Sequence, residues 1–352
     1  MLKMPAQSYQ PIFELRRGGR AESLHFGALA VVDAAGNSVA HYGDPQTVTF
    51  TRSAAKPLQA LALIEAGGHE RFGLSQAEIA ITCASHSGTD AHVEVVGALQ
   101  AKAGIAERQL MCGTHPPYHK ETAERLLRQG EKPSPNRHNC SGKHSGMLAL
   151  AALKGWPLEG YIELAHPVQG AILATVAEMC GLPVEEVGMG TDGCSVPNFA
   201  VPLRNLAWAY ARLVDPAGLS EGRAAACGVI VKAMTKHPEM VGGPGRFDTA
   251  LMAAAEGQVL AKSGAEGYLA MAVRPGVLGE ASPGLGVALK IADGDPNGRA
   301  RPAVALETLR QLGVLGEQEL AALAEFGPQI TVHNWRKVEV GEGHPCFELM
   351  RD

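Results

Sequence analysis

Short apolar runs bounded by turn residues occupy the two ends of the chain, and helical spacing dominates its middle. Residues 22–32 (ESLHFGALAVV) form an apolar run closed by the turn Asp33-Ala34-Ala35-Gly36-Asn37, and residues 38–42 return, which predicts a hairpin. A helix is predicted over about 54–66, ending at Gly67-Gly68. Residues 78–84 (EIAITCA) are a short apolar run compatible with strand or helix. Helical patterns follow at 90–103, 119–130, 143–153, 167–179, 201–213 and 219–235, interrupted by the glycine-rich loop Val241-Gly242-Gly243-Pro244-Gly245-Arg246. Strands return at about 257–261, 268–273 and 284–291. Helices at about 302–312 and 318–325 and strands at about 328–332 and 336–341 close the chain.

With strands at both ends and helices between them, the two ends are expected to share one sheet beside a helical lobe. The expected division is 1–50 with 257–352 as an α/β sheet lobe and 51–256 as a mainly helical lobe, within one catalytic domain. Ligand sites tend to form in the cleft such a layout creates.

Composition narrows the function classes. The chain has 352 residues, 46% hydrophobic and 19% charged, which is ordinary for a globular protein. The formal net charge is −5 and no Lys or Arg run stands out, so neither nucleic acid nor an acidic membrane is an expected partner. Met1 to Gln10 lacks the layout of a signal peptide, and no uncharged apolar stretch has the length of a membrane span, so a cytoplasmic location is expected. Seven cysteines (83, 112, 140, 180, 194, 227 and 346) form no C-x-x-C pair, which speaks against a disulfide framework or a thioredoxin-like site.

Candidate chemistry begins at Thr51-Arg52-Ser53-Ala54-Ala55-Lys56-Pro57. Ser53 is a natural N-cap, and Pro57 is tolerated only in a first turn, so the helix is expected to start close to Ser53. Lys56 then lies on the same face, within reach of the Ser53 hydroxyl. A serine needs a base beside it, and a lysine serves as one when it is uncharged. Roughly one Ser-x-x-Lys arises by chance in a chain of this size, so the motif does not stand alone. Lys262-Ser263-Gly264 follows a predicted strand, and Ser85-His86-Ser87-Gly88 follows the apolar run 78–84. A Ser-x-x-Lys helix, a polar serine on a loop and a Lys-[Ser/Thr]-Gly strand make up the arrangement of penicillin-recognising serine enzymes.

Two polar knots sit at breaks between helices: Asn136 to Met147, and Gly190-Thr191-Asp192-Gly193-Cys194-Ser195. Cys140, His138, His144, Asp192 and Cys194 are competent metal ligands, but their spacing fits no standard zinc signature. Their glycines and serines could equally donate backbone hydrogen bonds to a small polar substrate. The loop 242–246 matches no phosphate-binding signature, and Arg246 is a candidate for holding a substrate carboxylate.

Taken together, the stretches TRSAAKP, CASHSGTDAHVE, CGTHPPY, NRHNCSGKHSGML, GTDGCSVPNFAVPL, KHPEMVGGPGRFDT and AKSGAEG resemble the rhizobial-type (type 3) L-asparaginase family, from about residue 10 to the C-terminal strands. The resemblance implies a serine-β-lactamase/glutaminase-like α/β fold, a homodimer, and hydrolysis of L-asparagine to L-aspartate and ammonia. It implies two Ser–Lys pairs, Ser53 with Lys56 and Ser85 with Lys262. It also implies one zinc ion near the site on Cys140, Lys143 and Cys194, with Asp192 beside them; the residue chemistry alone pointed to a histidine rather than Lys143. Arg52, His86, Arg246 and Asp192 are the candidates for substrate contact. A glutaminase or penicillin-directed hydrolase of the same fold, and a catalytically silent zinc- or amino-acid-binding protein, remain as alternatives.

Overall fold

The structure is a computed structural model that describes residues 8–352. It is a mixed α/β architecture whose chain forms two compact units. One holds the described residues up to Arg52 together with Val201–Ala217 and Ala254–Asp352; the other holds Ser53–Ala200 and Gly218–Ala253. Residues 201–217, expected in the helical lobe, thus group with the sheet.

The strands in chain order are β1 (Gln10–Arg17), β2 (Arg20–Asp33), β3 (Ser38–Tyr42), β4 (Val48–Phe50), β5 (Gly188–Thr191), β6 (Pro197–Pro202), β7 (Val259–Ser263), β8 (Tyr268–Val273), β9 (Leu285–Ile291), β10 (Ile330–His333), β11 (Glu339–Pro345) and β12 (Met350–Arg351). The first unit is built on an antiparallel sheet in the order β10-β11-β1-β2-β9-β8-β7, with β3 added to the second half of β2 and β12 to β3. Strands from the two ends of the sequence therefore share one sheet. The hairpin β1–β2 turns through Gly18 and Gly19, both at positive φ, which suits a two-residue turn between right-twisted strands. β1 escapes the sequence pattern because its register shifts between Pro11 and Phe13, so that the consecutive Ile12 and Phe13 are both buried.

β8 and β9 are buried along their whole length, so helices cover both their faces. Helix Leu203–Val214 packs against β2, β8 and β9, and helix Ala300–Gln311 against β1, β8, β9 and β11. The first contact is closest at Gly286, where an added Cβ would lie 1.7 Å from Ala207 O. A glycine is needed there because helix backbone rests directly on strand backbone.

The second unit is mainly helical. Helix Lys56–Glu65 is buried on every side from Lys56 to Ile64 and packs against helices Ser141–Lys154, Pro167–Cys180 and Glu221–Lys236. The ambiguous run 78–84 lies mostly in helix Gln76–Thr82, started by a capping box in which Ser75 Oγ accepts from Glu78 N–H and Glu78 Oε2 accepts from Ser75 N–H. A short antiparallel pair, β5 with β6, occupies a stretch without a predicted strand. Among the described residues no helix is long and apolar enough to cross a membrane.

Gly286→Ala is expected to cost more than about 3 kcal/mol, because the methyl group meets backbone rather than a movable side chain. Equilibrium unfolding in urea checks this; a midpoint unchanged from wild type would contradict the packing described.

Candidate active site

Ser53 does not cap the helix that follows it. Arg52–Ala55 form a 3-10 turn, the helix begins at Lys56 with Ala55 as its N-cap residue, and no side chain caps it. Pro57 occupies the first turn, where its missing N–H costs nothing. Arg52 has φ +50°, a left-handed conformation that is uncommon outside glycine and clusters at functional sites. Ser53 is half-buried.

Lys56 is completely buried. Its Nζ donates to Ala84 O at 2.5 Å and to Ser85 Oγ at 2.9 Å, and lies 3.2 Å from Cys140 Sγ. Ser53 is not one of these partners, and the lysine expected to serve Ser53 is hydrogen-bonded to Ser85 instead. Ser85 is placed by the glycine-rich loop: its N–H donates to Val241 O at 3.0 Å, and Ser87 Oγ donates to Gly242 O at 2.8 Å. Gly243 has φ +110°, and a Cβ there would meet Ser87 Oγ at 2.9 Å and His92 Cε1 at 3.0 Å. The loop can close on Ser85 to Ser87 only with glycine at this position.

His86 is fully buried and both its ring nitrogens are engaged. Ser141 Oγ donates to Asn136 O at 2.8 Å, so it accepts from His86 Nε2–H at 2.9 Å, while His86 Nδ1 accepts from Gly88 N–H at 3.2 Å. That fixes the neutral tautomer and leaves no nitrogen for a substrate carboxylate. Burial, followed by the neighbouring His92 and Lys56, holds the imidazole well below its ordinary value. The two rings stack, with centroids 4.9 Å apart. His92 is likewise lowered, chiefly by burial. Arg246 is half-buried, its guanidinium 5.7 Å from the centroid of the Tyr118 ring.

Next to Lys56 lies a sulfur-rich cluster. Cys140 is the N-cap residue of helix Ser141–Lys154, and Lys143, one turn on, donates to Cys194 Sγ at 3.0 Å. A hydrogen bond from Cys194 pulls the Cys140 thiol well below its usual value against the effect of burial, helped by Lys56 and Lys143. Cys194 is raised correspondingly, by that same hydrogen bond and by burial. Burial works against the charge on Lys143, but Cys194, Cys140 and Asp192 outweigh it and raise its pKa. Asp192 accepts from Gly193 N–H at 2.9 Å, and its Oδ2 is 3.8 Å from Cys194 Sγ. His144 interacts with Cys194 and is lowered to about 4 by burial, and its Nε2 is buried with no hydrogen bond of ordinary geometry.

The donor set fits a zinc ion in part. Among the described residues no three His, Cys, Asp or Glu side chains form a metal-binding group. Two thiols become a soft three-donor site only if Lys143 gives up a proton and joins them. The unsatisfied His144 Nε2 at Cys194 marks the same spot as wanting a partner.

In the sheet unit, Lys262 sits within β7 rather than after it, opposite Ala270 of β8. It is fully buried, with Nζ donating to Ser263 O at 2.6 Å. Sequence reasoning passed over Lys290, a buried amine on β9 that donates to Ile291 O at 2.6 Å and also to Glu266 O. A single charged residue inside the run Leu285–Ile291 was the available signal.

Residues 13–345 match the family model described as L-asparaginase II. No curated protein matches the chain. Among solved structures it is similar to a probable glutaminase from Bacillus subtilis complexed with 6-diazo-5-oxo-L-norleucine, at 13% identity over 82% of this chain and 84% of that one, TM-score 0.39. It is also similar to the Bacillus subtilis glutaminase YbgJ in covalent complex with 5-oxo-L-norleucine, at 14% identity over 83% and 89% of the chains, TM-score 0.38. A Bacillus glutaminase in 4.3 M NaCl gives 13% identity over 82% and 91%, TM-score 0.38. The family match over nearly the whole length defines the class of protein, an amidohydrolase. Within that class, the chain belongs to the L-asparaginase II family.

His86 and His92 are neutral in the folded chain, whereas the unfolded chain takes up protons below about pH 6.5. Their contribution to stability is therefore complete above pH 6.5 and is lost as the pH falls toward the depressed values, by up to about 1.4 kcal/mol per pH unit for each ring. Unfolding free energies from pH 8 to 5 should decline below 6.5, and the two rings should titrate in NMR spectra below the ordinary imidazole value. Rings that titrate near 6.5 would contradict this assignment.

Proposed function

We propose that the protein hydrolyses L-asparagine to L-aspartate and ammonia through a serine acyl-enzyme assisted by lysine. The observation that carries this reading is the buried Lys56 Nζ at 2.9 Å from Ser85 Oγ, one helical turn from Ser53. In the first step Ser53 Oγ attacks the side-chain amide carbon while an uncharged Lys56 takes its proton. Backbone N–H groups stabilise the oxyanion. The C–N bond breaks as the amide nitrogen receives the proton that Lys56 took, passed on by Ser85; the resemblance gives Lys262 a supporting role in this step. Water then cleaves the β-aspartyl ester, its proton returns Ser53 to the hydroxyl form, and aspartate leaves.

A second reading is favoured by the same distance: Ser85, already on Lys56, attacks first and Ser53 assists. Glutamine is the competing substrate. Arg52 and Arg246 are the proposed contacts for the substrate carboxylate, with Asp192 beside the site. His86 is proposed as a frame for Ser141 and Gly88 rather than as a ligand, since its nitrogens are occupied. The resemblance makes a cytoplasmic homodimer part of the same reading.

A zinc ion would be held by Cys140, Lys143 and Cys194. When bound it supplies positive charge that takes up the thiolate character of Cys140. Cys140 touches Lys56, so the chain's part in this is to shift the electrostatic balance at that amine.

Lys56→Met is expected to lower kcat/KM for asparagine at least about 1000-fold with the fold retained. Discontinuous ammonia assays beside circular dichroism check this, and near-normal turnover would overturn the mechanism. Cys194→Ala should lose the zinc that metal analysis finds in protein purified without added metal. Wild type free of metal, and unresponsive to it, would remove zinc from the account.

A further inference from the structure

Ser85 hangs from one short strap of backbone, and the strap is itself held at other points. Helix Pro238–Val241 and the glycines after it present successive carbonyls: Val241 O accepts from Ser85 N–H at 3.0 Å, and Gly242 O accepts from Ser87 Oγ at 2.8 Å. A helix of one turn has too few internal hydrogen bonds to hold its own place. Two side chains supply anchors. Thr249 Oγ1 donates to Pro238 O at 2.9 Å and accepts from Gly243 N–H at 3.0 Å. His92 Nε2 lies 2.9 Å from Glu239 O. All of these residues belong to the helical unit.

The protonation of His92 follows from its partners. A carbonyl oxygen only accepts, so Nε2 carries the proton and Nδ1 is left as an acceptor. Nδ1 takes Thr89 N–H at 3.2 Å and the Thr89 hydroxyl at 2.6 Å, and His92 N–H donates back to Thr89 Oγ1 at 3.4 Å. That reciprocal pairing is a capping box at the start of helix Asp90–Ala103, with a histidine where glutamate or glutamine is usual. Capping alone needs one acceptor; the imidazole adds a donor on the far side of the ring. The ring is buried and stacks on His86, and its Cε1 would lie 3.0 Å from a Cβ on Gly243. His92 thus meets the strap at a carbonyl and at a glycine, and the helix terminus fixes the ring from behind.

We infer that His92 is a positioning residue for Ser85: through Glu239 O it fixes the turn whose Val241 carbonyl holds the Ser85 N–H, and so sets Ser85 Oγ against Lys56 Nζ. This rests on the proposed reading, in which the Ser85–Lys56 pair takes part in the chemistry. A misplacement of about 1 Å at such a pair lowers turnover on the order of 100-fold.

The test compares His92→Gln with His92→Asn. The glutamine amide reaches the place of Nε2 and can donate to Glu239 O, whereas the asparagine amide reaches only the place of Nδ1 and leaves that carbonyl without its donor. His92→Asn is expected to lower kcat for asparagine about 10- to 100-fold with KM within about threefold, and His92→Gln to bring kcat back to within about fivefold of wild type. Thr249→Val releases the same strap from its other anchor and should also lower kcat at nearly constant KM, so the inference is decided even where a His92 variant fails to fold by circular dichroism. Equal kcat losses in the two His92 variants, no loss in either, or an unchanged kcat in Thr249→Val would overturn the inference. A rise in KM at unchanged kcat would assign the strap to Arg246, three residues beyond Gly243, and overturn it as well. A wild type that releases no ammonia from asparagine would instead overturn the underlying function.

Discussion

A buried lysine amine whose partners are a carbonyl, a hydroxyl and a sulfur is the constraint on which the helical unit depends. The amine is that of Lys56, which is wholly enclosed. Leaving such a group unsatisfied is expensive, so the end of helix Gln76–Thr82 and the start of helix Ser141–Lys154 must both arrive at fixed positions. Close backbone contact delivers that. A Cβ on Gly142 would lie 2.1 Å from Ile81 O, and one on Gly146 would meet Thr82 Cγ2 at 3.2 Å. The two helices therefore touch at glycines immediately beside the residues that meet Lys56.

Through Cys140 the same amine joins a second polar centre. Cys194 donates to the Cys140 sulfur, Lys143 donates to Cys194, and the two lysines both favour the thiolate. Lys56 and the two sulfurs thus form one cluster linked over hydrogen-bond distances.

Much of the fold was legible in the sequence because its signals are local. The turn at residues 33–37 and the apolar strands 268–273 and 284–291 each carry their conformation in neighbouring residues, whereas the run 78–84 stayed open between strand and helix. β1 was not legible, because a bulge buries Ile12 and Phe13 together and breaks the alternation. The placement of helix Leu203–Val214 on the sheet was equally hidden, since it depends on Gly286 meeting Ala207 across space. At the site, the types and spacing of Ser53, Lys56, Ser85 and Lys262 stood out, but side-chain direction did not. A 3-10 turn at Arg52–Ala55 precedes the helix and Lys56 bonds Ser85, which no spacing rule foretells. Lys290 was passed over because a strand lysine looks like a surface residue until its burial is known.

The central claim is that a serine served by Lys56 is the nucleophile. The most direct measurement is peptide mapping by mass spectrometry after reaction with a diazoketone analogue of asparagine, on wild type and Lys56→Met. The account predicts one label per chain on Ser53 or Ser85, with labelling strongly slowed in Lys56→Met. A label on a cysteine, or equal labelling in the two proteins, would contradict it.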